Sequence, residues 1–524
     1  MLRRFIACVA MAIGAAAPTA ISETAVLADG GSCETLAVLK LPDTTISHAE
    51  VVVAGAFTPP VNPQAGAGRG GRGGNVFATL PSFCRVAARM TPTADSDIQI
   101  EVWLPAANWN GRFQAAGGAA GANSAVGGGI NFPALANSLR AGYATAGTDN
   151  GHDGATLAFA PGHPEKLIDF GYRATHEMTV KAKAIVEAFY GRQASHSYWN
   201  ACAAGGRQGL QEAQRYPADY DGIVVTAPAN SWGRLQSWSM WVNQQANRTQ
   251  AGVLPAAKYP AIHQAVVEQC DLLDGVKDGI IENPARCHPR LDVLACTSED
   301  TNRCLTPPQI ETANAIYSPA VDVQTGRVVY PAMPPGSELG WAVLAGLAAP
   351  YYAMETFKYL VFHDPGWTPE KRPINVGADV VAAERTAAPI TADNPDLSAF
   401  FARGGRLIQV HGLTDPLIAP GDSVDYYTRV RAIVGEPVAN GSMRLYLVPG
   451  MNHCQGGEGA DTINMQPVIE AWVERTQAPT TVIASKVVNG QTQKTHLLCS
   501  YPQEAVFKGS GSPDDAASFE CRIR

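Results

Sequence analysis

Small side chains crowd residues 201–206, Ala201-Cys202-Ala203-Ala204-Gly205-Gly206, between an apolar stretch and a helical one. Such a run suits a tight strand-to-helix turn, where backbone approaches backbone and bulky side chains have no room. A turn of this kind can hold out a nucleophile at its apex, here position 203. Far downstream, Asp415 follows the apolar run Leu407–Val410 in His411-Gly412-Leu413-Thr414-Asp415-Pro416. His453 follows Leu445–Val448 in Pro449-Gly450-Met451-Asn452-His453-Cys454. Singly, a loop aspartate is a turn former and a loop histidine is solvated. Their order after the turn, each just past a strand, points to acyl transfer: His453 takes the nucleophile's proton and Asp415 holds its tautomer. The apex residue itself is Ala203, which has no oxygen with which to form an acyl-enzyme.

A second group of chemically capable residues is Cys270-Asp271-Leu272-Leu273-Asp274-Gly275-Val276-Lys277-Asp278-Gly279-Ile280. Three aspartates with two Asp-Gly turns gather hard oxygen ligands of the kind Ca²⁺ takes, although the spacing is not that of an EF-hand. On composition alone, two ordinary Asp-Gly turns fit equally well. His176-Glu177 opens a helical pattern, but Val180 stands where a zinc-protease helix needs its second histidine, so that reading fails.

The elements that must position these residues are legible around them. Ile98–Leu104 alternates as a strand with one polar face, and Gly142–Ala146 is a shorter strand candidate. His176–Tyr190 has helical spacing, with Met178, Ala182, Ile185 and Phe189 on one side. The turn lies between a strand, Ser197–Asn200, and a helix, Arg207 to Tyr216, stopped by Pro217; Ile223–Thr226 is the next strand. Strands alternating with helices predict an α/β fold with a mostly parallel sheet, the pattern of an α/β-hydrolase core. Between about Ala229 and Asn394 the rhythm disappears, and prolines, four cysteines and Trp232, Trp238, Trp241, Trp341 and Trp367 collect. The predicted organisation is a core from 29–228 and 395–524, interrupted by a lid domain over 229–394.

Composition bounds the rest. With 524 residues, 46% hydrophobic and 16% charged, the chain can bury a large core. A net charge of −8 argues against nucleic-acid binding. The glycine-arginine run Gly66–Gly74 reads as a flexible surface loop. Met1-Leu2-Arg3-Arg4, an apolar run from Phe5 to Ala17 and small residues near Ala20 and Ala28 predict a signal peptide over 1–28, hence a secreted or periplasmic protein. No later stretch is long and apolar enough to span a membrane. Of eleven cysteines, Cys8 falls in that leader; the ten that remain imply a disulfide framework in an exported chain.

Tyr198-Trp199-Asn200-Ala201-Cys202-Ala203-Ala204-Gly205-Gly206-Arg207-Gln208-Gly209-Leu210, with Ala213-Gln214-Arg215-Tyr216-Pro217, closely resembles the tannase/feruloyl esterase family, which includes mono(2-hydroxyethyl) terephthalate hydrolases. Pro81–Val86 and Trp109–Phe113 resemble further segments of it. The family hallmark is Cys-Ser, a distant Asp and His-Cys; Cys202, Asp415 and His453-Cys454 match, and Ala203 replaces the serine. The resemblance implies pairs Cys202–Cys454, Cys33–Cys84, Cys270–Cys287, Cys296–Cys304 and Cys499–Cys521. It decides the acidic loop for a structural Ca²⁺ held by Asp271, Asp274 and Asp278 and the carbonyls of Val276 and Ile280.

An oxyanion hole needs two backbone N–H donors. Ala204, after the apex, supplies one, and Gly117 or Gly118 of the family-like loop Gly117–Gly121 the other. His411 is either a pocket residue touching substrate or a structural histidine. The lid aromatics Trp232, Trp238, Phe357, Tyr359 and Trp367 are candidates to stack on an acyl ring, or else lid core. The implied activity is hydrolysis of aromatic acid esters, with a small-molecule ester as partner. As written the chain is expected to bind its ester and not cut it. Ala203 fits an engineered Ser→Ala exchange, the reading favoured by the intact surroundings; a natural non-catalytic binder or a sequence error would also account for it. The oligomeric state is not indicated.

Overall fold

The computed structural model describes residues 32–60, 76–118 and 126–524. The predicted leader, the Gly66–Gly74 run and Ala119–Gly121 of the glycine loop lie outside the described residues. Among the described residues, seven strands precede the expected insertion: β1 (Thr44–Val52), β2 (Phe83–Met90), β3 (Ile98–Pro105), β4 (Phe113–Ala115), β5 (Ala144–Thr148), β6 (Ser197–Cys202) and β7 (Gly222–Thr226). The chain then leaves the sheet, forms a short hairpin of β8 (Ala320–Val321) and β9 (Val328–Tyr330), and returns as β10 (Arg406–Gly412) and β11 (Met443–Val448).

One sheet of nine strands results, in the order β1-β2-β3-β5-β4-β6-β7-β10-β11. The pairs from β1 to β5 along this order are antiparallel, and β5, β4, β6, β7, β10 and β11 run parallel. Parallel strands covered on both faces read as continuous apolar runs, and β7 is such a run, Gly-Ile-Val-Val-Thr, buried through its first four residues. Its neighbours divide by parity. Trp199, Ile223, Val225, Leu407 and Leu445 join one apolar layer; Tyr198, Val224, Ile408, Val410 and Tyr446 join the other. The helix Ala174–Tyr190 buries Met178, Ala182, Ile185 and Phe189 in the first layer and ends at Gly191, in the left-handed conformation. This is an α/β-hydrolase fold.

A third apolar cluster is built mostly from the segment between β7 and β10, including Trp232, Trp238 and Trp341, with Val126, Leu157 and Phe170 from before it. Its main helices are Trp232–Ala246, Tyr259–Cys270, Pro307–Ile316 and Ala378–Thr386. After β11 the chain closes with two hairpins, β12 (Thr481–Val488) with β13 (Gln491–Cys499), and β14 (Glu504–Phe507) with β15 (Phe519–Arg522). Five disulfides form, in the pairing implied by the family resemblance. Among the described residues no helix is long and apolar enough to cross a membrane.

Candidate active site

Position 203 stands where β6 gives way to the helix Ala204–Arg215, with φ +53° and ψ −114°. An L-residue pays steric strain in that conformation, and the surroundings hold it there. The Ala203 N–H donates to the Thr226 carbonyl (2.9 Å), while its own carbonyl accepts from Arg207 N–H (2.9 Å) and Ala229 N–H (3.2 Å). Bulk is excluded on every side. A Cβ on Gly205 would lie 2.6 Å from the Ala201 Cβ, and one on Gly117 would lie 2.3 Å from the Trp199 ring. The small-residue pattern is therefore a packing requirement of the turn.

Asp415 follows β10 and is wholly buried. Its Oδ1 accepts from the N–H groups of Leu417 (2.8 Å) and Ile418 (3.0 Å), which fix the carboxylate plane. Its Oδ2 faces His453 Nδ1 at 2.7 Å and His411 Nε2 at 3.3 Å. Burial pushes the carboxyl up, but the charge of His453 and hydrogen bonds from both histidines outweigh it, leaving Asp415 well below the usual carboxylate range. Burial lowers the His453 imidazole, and the Asp415 charge and hydrogen bond overcome that, raising it above 6.5. With Nδ1 committed to Asp415, Nε2 is the nitrogen left to exchange a proton with an apex nucleophile.

The two halves are covalently tied: Cys202, beside the apex, is bonded to Cys454, beside the histidine, with Cα atoms 6.1 Å apart. A ring nitrogen of His453 comes within 4.8 Å of both sulfurs. As a disulfide these sulfurs offer no thiolate, either to a metal or as a nucleophile. The histidine loop is braced again by Thr414 Oγ1, which donates to Asn452 Oδ1 (3.0 Å). From the inserted segment, His263 bonds Glu458 through Nε2 and buried Glu338 through Nδ1, both at 2.7 Å. An acid-histidine pair tied by a disulfide to a strained apex is an arrangement that can serve acyl transfer.

Comparison with known proteins agrees. The family described as Tannase and feruloyl esterase matches residues 84–522. The chain belongs to that family. It is 35% identical to an uncharacterized esterase of Xanthomonas campestris pv. campestris, over 97% of this chain and 93% of the relative. It is 33% identical to a probable feruloyl esterase B of Aspergillus clavatus, over 92% and 94%. The crystal structure of feruloyl esterase B from Aspergillus oryzae superposes with a TM-score of 0.84 at 30% identity, covering 94% of this chain and 99% of that one. The tannin acyl hydrolase from Aspergillus niger shares the fold, with a TM-score of 0.75 at 23% identity over 92% of each chain. The scaffold is thus that of a carboxylic ester hydrolase.

Within this tannase-family site, several expected contacts fall elsewhere. His411 is wholly buried, its Nδ1 2.6 Å from Ser423 Oγ and its Nε2 3.0 Å from the Ile418 carbonyl, so it braces Asp415 and does not face substrate. Trp232 and Phe357 are also wholly buried. Trp232 donates from its indole to Thr356 Oγ1 (3.1 Å), and Phe357 packs on Phe362 and Trp367, so both are core of the inserted segment, with no open face for an acyl ring. The Gly118 N–H donates to Gln208 Oε1 (2.8 Å), and Gln208 Nε2 donates to Asn150 Oδ1 (2.7 Å). That amide is engaged, which removes Gly118 as a free oxyanion donor. Ala204 opens its helix, where first-turn N–H groups lack intrahelical partners. The sequence reading missed Gln208, Asn150 and His263; only the first lies in a segment it singled out.

In the acidic loop each aspartate accepts from backbone N–H groups of the loop itself. Asp271 Oδ1 accepts from Asp278 and Gly279 N–H (3.2 Å each), Asp274 Oδ1 from Val276 N–H (2.8 Å) and Asp278 Oδ1 from Ile280 N–H (3.0 Å). Burial, reinforced by Glu282, Asp278 and Asp271, pushes Asp274 up to about 6. Asp271, Asp274 and Asp278 are hard oxygen donors of the kind a Ca²⁺ ion takes.

Proposed function

We propose that this chain is an exported carboxylic-ester hydrolase scaffold for aromatic acid esters, of feruloyl, galloyl or terephthalate-monoester type, built for serine acyl-enzyme chemistry and silenced at position 203. The observation that carries the proposal is the strained apex at Ala203, tied through Cys202–Cys454 to a histidine 2.7 Å from a wholly buried aspartate. With serine at the apex, its Oγ attacks the ester carbonyl while His453 Nε2 takes the proton. Charge develops on the carbonyl oxygen, toward the Ala204 N–H. Collapse expels the alcohol, protonated by His453. Water, deprotonated by the same nitrogen, then releases the acid and restores the serine. With alanine, binding remains and the first bond cannot form.

Export is supported by five disulfides, which persist in oxidising compartments. The donor set of Asp271, Asp274 and Asp278, with the Val276 and Ile280 carbonyls, suits a structural Ca²⁺, whose part would be to neutralise the carboxylates of this loop. The alanine itself favours a second reading, a natural binder of aromatic esters or acids without turnover. Ala203→Ser tests the triad, and the codon for residue 203 in the source gene separates the two readings. A serine enzyme gains about 10⁶-fold in kcat on such esters over its alanine form. No gain with methyl ferulate, methyl gallate or a terephthalate monoester would sink the triad assignment and leave the binder.

A further inference from the structure

Further along the helix that starts at the apex, a group of side chains has no part in ester cleavage. Glu212 lies in that helix, His176 in the neighbouring helix Ala174–Tyr190, and Asp219 in the connection to β7. One ligand atom from each lies within 4.8 Å of the other two. His176 Nδ1 is 2.6 Å from Asp219 Oδ2. Glu212 is wholly buried, and among the described residues its carboxylate oxygens meet no donor; what they face is the carboxylate of Asp219, a second acceptor. A buried carboxyl group in that state is costly, and native structures avoid it unless something else satisfies the oxygens. The side chains of His176 and Asp219 are 24% and 12% exposed, so the group is reachable from solvent on that side.

We propose that His176, Glu212 and Asp219 form a binding site for a divalent transition-metal ion of the Zn²⁺ type, joining the nucleophile-bearing helix to its neighbour. An imidazole nitrogen with carboxylate oxygens is a borderline donor set that suits such an ion, whereas Ca²⁺ takes oxygens only. The Tyr216 ring stacks on His176 at 3.6 Å and an interplanar angle of 5°, holding the imidazole plane. Lys183 donates to the Asp219 carbonyl and sets a positive charge beside Asp219 and Glu212, against which the ion has to bind. Glu212 follows Ala204 by eight residues, about 12 Å along a helix, so the ion would anchor the helix and take no part at the apex.

Ligation needs ionised carboxylates and a free imidazole nitrogen, so metal binding competes with protons at this group. The competing account is a Glu212 proton facing Asp219 with no affinity for metal. The test uses the untagged full chain with Ca²⁺ present throughout, so that the acidic loop is occupied. Zn²⁺ is titrated calorimetrically, and Co²⁺ is followed by its visible absorption. Expected are one ion per chain and a Co²⁺ band that Zn²⁺ abolishes. Glu212→Gln and His176→Gln should each weaken binding by more than ~100-fold, since losing even an outer partner costs about 10–100-fold. Absence of binding at millimolar Zn²⁺, or equal binding by folded variants, overturns the site. Should Glu212→Gln fail to fold, the partly exposed His176→Gln decides alone.

Discussion

Replacing Asp415 by asparagine should move the titration of His453 from above 6.5 to below it, and the Ala203 protein shows this without any turnover. The present balance has two opposed parts: burial lowers the imidazole, and Asp415 raises it by charge and hydrogen bond. Asp415→Asn keeps shape and removes the charge. An opposite charge at this range shifts a pKa by about 1–3 units, and one unit is about 1.4 kcal/mol. The 2.7 Å contact to a carboxylate with no solvent exposure argues for more than the lowest of these values; the 22% exposure of the His453 side chain argues against the highest. A fall of about two units, near 2.7 kcal/mol, is the working figure. Burial then acts unopposed, and the midpoint drops below 6.5. The assay is NMR of the histidine ring protons against pH, with His453→Gln to assign the signal. A midpoint that stays above 6.5 in Asp415→Asn would show that Asp415 is not what stabilises the imidazolium.

Two further outcomes concern stability. Asp274 is raised to about 6 in the folded chain, so it is ionised at pH 7.5 and protonated below about 6, where a cation must displace its proton. Added Ca²⁺ should raise Tm at pH 7.5, the gain fading as pH falls through about 6, and Asp274→Asn should reduce it; calorimetry with and without chelator reads both. His263 is lowered by burial, yet its bonds to Glu338 and Glu458 carry it to about 9. Because the folded value exceeds the ordinary 6.5, its stabilising effect is complete below 6.5 and lost as pH climbs through about 9. The Tm difference between the parent and His263→Asn should shrink over that window; a constant difference would refute the ionic account.

The parts of this site that follow from spacing were legible, and the parts that depend on neighbours were not. The turn at 201–206 was readable because only small residues fit there, and Asp415 and His453 because each follows an apolar run in a fixed order. The helix after the turn begins at Ala204, not Arg207; the glycines of low helix propensity hid its first turn, and at 205 glycine is required because a side chain would strike Ala201 and Gly118. His411 sits four residues before Asp415, and nothing in the sequence tells a substrate contact from a brace. Its burial does. Trp232 and Phe357 could not be sorted either, because large aromatic rings serve a lid core and an acyl pocket equally well. The closing hairpins, β12 to β15, went unread: β12, for example, shows mostly exposed or half-buried residues, which blurs the alternation.

The backbone at position 203 also speaks to its history. An alanine at φ +53° and ψ −114° costs about 1–3 kcal/mol, a strain that holds a nucleophile at an apex and serves no purpose for a methyl group. Glycine adopts such conformations without that penalty, at a loss of about 0.4–1 kcal/mol through the greater freedom of the unfolded chain. Ala203→Gly should therefore stabilise the fold by about 1 kcal/mol, while Ala203→Ser, differing by one hydroxyl at a partly open site, should leave stability within about 0.5 kcal/mol. Denaturant unfolding of the three forms measures both. If glycine destabilises, the turn is not strained and the geometric case for a nucleophile there weakens. If it stabilises, the scaffold keeps a conformation that folding alone would not select, and the residue for which that conformation has a use is serine.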